Sequence, residues 1–229
     1  MDVRYKVINI GALSCNRMWA ETTPRRAAHA TCTLIRSGST TILVDPSLPT
    51  EAMVHRLDER AGLTLNEIDV VFLTTFRPVH RRALASFERA SWVMHAPEIE
   101  AVRTHLAALN ERAAAGRQDP ETVRLLRDEQ MLVEKIETAP DRLTEEVHLF
   151  PAMGASVGSA ALLLAEPSRT IVVAGDAVLT EEHFEAGRVF EQAASVEDAR
   201  SAFREIAEIA DEIVPGHDNA FRVRGRWGA

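Results

Sequence analysis

The run from Ile68 to Thr74 constrains this chain more than any other segment, because its centre, Val70 to Leu73, is apolar at every position. A strand with one wet face alternates, whereas an unbroken apolar strand has to be covered on both faces. The chain therefore needs layers on either side of a sheet, and the remaining sequence must supply them. Strand signals come first. Val3 to Ile10 alternates, and Thr31–Ile35 and Thr41–Val44 are β-rich runs separated by Ser37-Gly38-Ser39, a hairpin signal. The polar stretch Asn16–Ala28, which carries Pro24, reads as a loop. Asp45-Pro46-Ser47 closes a strand, and Pro49 opens a helix to about Ala61 with Met53, Val54 and Leu57 expected on one face. Thr75 to Phe87 starts as a loop and turns helical, and Ser91–His95 is another strand.

Pro97 to about Ala139 reads as two helices, broken near Gly116 and restarted by Asp119-Pro120-Glu121, with Asp119 as N-cap and Pro120 at the first helical position. The second half repeats the logic. Val147–Phe150, Ala160–Leu164 and Thr170–Val173 are strands. Ser195–Ala210 is a helix with a Ser195-x-x-Asp198 capping box and a stripe of Ala199, Phe203, Ile206 and Ile209. Ile213-Val214 is a last strand before Pro215-Gly216-His217. Strands, then helix, then the same again, fit two sheets packed face to face with helices outside, an αββα sandwich. Periodicity alone does not separate this from other α/β arrangements.

A length of 229 residues suffices for one domain, 1–229, with 97–139 as a helical insertion. A formal net charge of −8 argues against a nucleic-acid or anionic-membrane partner. Two cysteines, Cys15 and Cys32, make no disulfide framework, so a reducing cytoplasm is the expected compartment. No signal peptide is read at the N-terminus, and no apolar run approaches the roughly 20 residues of a membrane span.

Five segments in order carry a family resemblance. Leu73-Thr74-Thr75-Phe76-Arg77-Pro78-Val79-His80 resembles the LTHxHxDH motif of the metallo-β-lactamase superfamily, with three of four metal-binding positions changed. Thr41–Asp45 is similar to its early strand ending in aspartate, Gly154–Ser159 to its G-H-T-x-G-S turn, Val173–Ala177 to its strand-G-D segment, and Val214–His217 to its final P-G-H. The match runs from about 30 to 217 and its tail is most similar to the lactonase-type branch. That branch carries a tyrosine soon after G-D-A, where this chain has Val178 and Leu179. The resemblance implies a four-layer αββα sandwich of two mixed β-sheets flanked by helices.

It also implies a centre of two divalent metals holding a bridging hydroxide. The first metal's histidine positions fall on Thr75, Arg77 and Ala155, none of them a usable ligand. The second metal's positions fall on Val79, His80, Asp176 and His217, of which the last three survive. Two imidazoles and a carboxylate can hold one zinc, iron(II) or manganese ion with open positions for water. Valine at 79 cannot move protons as the family's aspartate does.

Against metal stands a simpler expectation. His80 and His217 would hydrogen-bond within their loops, and Asp176 would pair with Arg77, whose charge replaces the first ion and repels another. Arg77 could instead hold a carboxylate or phosphate of a ligand. Asp45 either braces the metal loop or caps the turn before the first helix. His29, His55, His95, His105, His148 and His183 lack partners at ligand spacing, although His183 could reach the pocket mouth. Ser14 and Ser156 lack a nucleophile elbow, and Gly154–Ser159 has no lysine to make a phosphate loop. The insertion is a packed hairpin, a lid or a dimer contact. On its residues the chain reads as a non-catalytic member binding a small molecule or a protein through the old cleft, with a homodimer left open. The alternative is a mononuclear hydrolase of ester- or lactone-type bonds.

Overall fold

The structure, a computed structural model, describes residues 3–116 and 119–224. The described residues form two mixed sheets. In the first, β1 (Arg4–Asn9), β2 (Cys32–Ser37), β3 (Thr40–Val44), β4 (Val70–Leu73), β5 (Ser91–Met94) and β6 (Glu137–Thr138) lie in chain order. β1, β2 and β3 pair antiparallel, and β3 through β6 pair parallel. The second sheet runs β11 (Phe221–Arg222), β10 (Glu212–Pro215), β9 (Arg169–Gly175), β8 (Ala160–Glu166) and β7 (Val147–Pro151). Only its β9–β10 pair is parallel.

The run that demanded cover on both faces is β4. Phe72 turns inward to meet Ile42, Val44, Leu162, Val173 and Val214 between the sheets. Val71 and Leu73 turn outward against α1 (Thr50–Ala61) and the hairpin of α2 (Ala96–Ala115) and α3 (Pro120–Glu134), through Met53, Leu57, Ile99, Leu106 and Val133. On the far side, Val172, Ala174 and Ile213 pack on α4 (Glu181–Glu185) and α5 (Val196–Ile209) through Phe184, Phe203 and Ile206. The four layers are thus helix, sheet, sheet, helix.

Local chemistry explains the boundaries. Gly38, at φ +59°, turns the β2–β3 hairpin. Asp119 accepts the Thr122 N–H at 2.9 Å and starts α3 behind Pro120. Some expectations are corrected. On α1, Met53 and Leu57 are buried while Val54 is exposed, because it lies about 100° round the helix from Met53. Ile209, at the end of α5, is likewise on the exposed side of its stripe. The segment after β4 does turn helical, as two short 3-10 turns, Pro78–His80 and Leu84–Ser86. Among the described residues no helix is long and apolar enough to cross a membrane.

Candidate metal centre

The site forms where β4, β9 and β10 end. Gly175 closes β9 at φ +53°, and a Cβ there would sit 2.5 Å from Thr74 Oγ1 in the opposite sheet. Glycine alone permits that approach, which brings the following Asp176 against the loop after β4. Asp45, at the end of β3, adopts φ +51°, a left-handed conformation that aspartate tolerates better than most residues. Its carboxylate accepts the Thr74 N–H at 2.9 Å and the Thr74 O–H at 2.7 Å, and lies 2.9 Å from His80 Nδ1. Both oxygens therefore serve the loop that carries His80, while α1 starts from Pro49 without a side-chain cap.

His80, Asp176 and His217 are buried, and each offers a ligand atom within 4.8 Å of the others. His80 Nδ1 faces Asp45 Oδ2, and His217 Nδ1 faces the His29 carbonyl at 3.0 Å. Those ionised or carbonyl oxygens can only accept, so both Nδ1 atoms donate. Both Nε2 atoms then turn on one oxygen, Asp176 Oδ1, at 3.2 Å from His80 and 3.1 Å from His217. His80 Nε2 is fully buried yet has no aligned hydrogen bond. Neutral rings would aim two lone pairs at a carboxylate. A proton or a metal ion removes that conflict.

In the absence of metal the proton answers. Burial works against the His80 imidazolium, but Asp176 and Asp45 outweigh it and push the pKa up to about 10. Burial would raise the Asp176 carboxyl, but His80 and His217 hold it well below the usual range. The same donor set, with each imidazole oriented by an outer oxygen, fits a single divalent ion.

The other half of the floor is built differently. Arg77 Nη1 donates to Asp176 Oδ2 at 2.7 Å, Nη2 donates to the Ala155 carbonyl at 2.5 Å, and the guanidinium lies 4.3 Å over the Phe190 ring. Thr75 turns away to Glu98, a buried carboxylate in the first turn of α2. Glu98 accepts from Thr75 Oγ1 and Ser156 Oγ at 2.8 Å, Gly158 N at 2.9 Å and Phe76 N at 3.1 Å. It binds the loop after β4 to the Gly154–Ser159 turn. Ala155 is buried and offers only its carbonyl.

Over this floor opens a cleft of about 560 Å³. Its walls come from residues 13–28 and 176–192, with Arg77, Val79, Asp176 and His217 below. Among the described residues, none of the α2–α3 hairpin lines it. His183 does line it; its Nδ1 lies 2.7 Å from Thr180 Oγ1, and burial pushes its pKa down. At the mouth Arg17 and Glu191 form an exposed ion pair at 2.9 Å. Glu98 and Phe190 were missed in the sequence. An acid just after Pro97 reads as a complement to the helix dipole, and nothing near Phe190 marks it as a partner of Arg77.

A two-sheet αββα sandwich with histidines and an aspartate gathered at its strand ends defines a class of metal-site scaffold. The sequence profile of the Metallo-beta-lactamase superfamily matches residues 25–217. The chain belongs to that superfamily. A comparison with curated protein sequences gave no match. Among solved structures, a probable metal-dependent hydrolase from Staphylococcus aureus is similar at TM-score 0.69 and 15% identity, covering 100% of this chain and 95% of its own. AiiA of B. thuringiensis, a mutant with N-decanoyl-L-homoserine at its active site, gives TM-score 0.64 and 18% identity over 94% and 92%. AidC, a dizinc quorum-quenching lactonase, gives 0.62 and 15% over 82% and 72%. At these identities the likeness establishes the fold.

Proposed function

We propose that the chain is a hydrolase using one divalent metal ion, held by His80, Asp176 and His217, on an ester, lactone or related bond. One observation carries this reading: two imidazole Nε2 atoms converge on a single buried carboxylate oxygen while both Nδ1 atoms are committed to oxygen acceptors. Superfamily membership and the likeness to a dizinc lactonase support it. Zinc, iron(II) or manganese bound there would lower the pKa of a water molecule and polarise a scissile carbonyl.

The chain's own residues set the rest. Asp45 and the His29 carbonyl fix the two rings in the tautomer that presents Nε2. Arg77 occupies Asp176 Oδ2, which leaves Oδ1 for the histidines. Val79 and Phe190 narrow the floor but hold no proton at neutral pH.

A second reading, a cleft that binds without catalysis, draws on Arg77, which already neutralises Asp176. Elemental analysis of purified protein beside His80→Ala, with an ester and lactone panel on the loaded protein, separates the two. About one equivalent of metal, lost with activity in the variant, supports the hydrolase. No metal after adding excess removes it and leaves the binding reading.

A further inference from the structure

We infer that the outer edge of Arg77 is an oxyanion site, which holds a carboxylate or phosphate group of the ligand beside the histidine–aspartate centre. This deepens the proposed function by naming a substrate class, and rests on it only for the neighbouring metal.

A guanidinium has five N–H donors in a rigid fork. The contacts described above spend one on Asp176 Oδ2 and one on the Ala155 carbonyl. Nε and the second hydrogens of Nη1 and Nη2 have no partner among the described residues. The side chain is 27% exposed and forms part of the cleft floor, so its remaining edge borders the ligand space. A neutral acyl group filling that space would exclude water and leave the donors unmet, whereas an oxyanion satisfies two at once.

The guanidinium is also oriented in advance. Phe190 supports its face, Asp176 and Ala155 hold its inner edge, and Glu98 pins the neighbours on both sides, Phe76 and Ser156. Little side-chain freedom is then lost on binding.

Acetate and methylphosphate, titrated separately by calorimetry into zinc-loaded wild type, Arg77→Gln and Arg77→Lys, test the inference, with zinc content measured on the same samples. At least one anion should bind wild type. Its affinity should fall about tenfold or more in Arg77→Gln and less in Arg77→Lys, which keeps the charge but loses the fork. Zinc should stay at one per chain in all three. Equal affinity in wild type and Arg77→Gln, or no binding of either anion to wild type, overturns the inference. If Arg77→Gln fails to fold, Phe190→Leu keeps every donor but removes the ring brace, and should weaken the anion a few-fold; unchanged affinity there counts against. If zinc never binds, the hydrolase reading fails alone, and the same comparison on metal-free protein still decides whether Arg77 holds the anion.

Discussion

Asp176 divides the cleft floor into two halves that meet the same need, a positive charge against a buried carboxylate, by different means. On the Oδ1 side stand His80 and His217, whose outer nitrogens are tethered and whose inner nitrogens converge. On the Oδ2 side stands Arg77, already in contact and boxed in by Phe190, Ala155 and the Glu98 cluster. The first half is arranged around a charge that can come and go as a proton or an ion. The second carries its charge permanently, since a guanidinium does not deprotonate. The buried carboxylate thus has one exchangeable and one fixed partner.

Removing the shared element tests the comparison hardest. Asp176→Ala leaves Arg77 and a buried His80 without their common counter-charge, and should destabilise the protein by about 3–5 kcal/mol in urea unfolding. It should also abolish metal uptake. If stability barely changes, the two halves do not depend on one carboxylate. Next in size, Glu98→Ala strips the acceptor from three buried donors and the half-buried Ser156 hydroxyl and should cost about 3 kcal/mol, yet leave metal stoichiometry intact. Metal lost along with stability would mean that the halves are not separable. A smaller effect comes from Asp45→Asn, which keeps the size of the side chain but withdraws its charge from His80. Zinc affinity should weaken by about 10–100-fold in a chelator competition.

The broadest effect is on pH. His80 titrates in the folded, metal-free protein near 10 against an ordinary 6.5. Its contribution to stability is therefore complete below about pH 6.5 and is lost as pH rises through about 10. Metal-free protein should weaken across that window, and His80→Gln should flatten the profile. Metal displaces the same proton, so zinc affinity should rise by about tenfold per pH unit below 10. A flat affinity profile would show that His80 Nε2 is not where the ion binds.

The layered fold was legible because Val70–Leu73 had no polar face and the strand and helix signals alternated around it. The His80, Asp176 and His217 positions were legible because each sits on a short motif at a strand end. Glu98 was not, since its partners are 22, 23, 58 and 60 residues away and its neighbours read as an ordinary helix start. Val54 was misplaced because a short apolar cluster on a helix does not say which two of its members point inward. The meeting of both Nε2 atoms on one oxygen depends on ring orientations that only the tethers at Asp45 and His29 fix.

The closeness of Gly175 to Thr74 gears the two sheets together like meshed teeth. A side chain forced in at 175 would push on Thr74, Thr74 on Asp45, and Asp45 on the ring of His80. A change made in one sheet would thus be felt at a nitrogen carried by the other, without touching any of the three cluster residues.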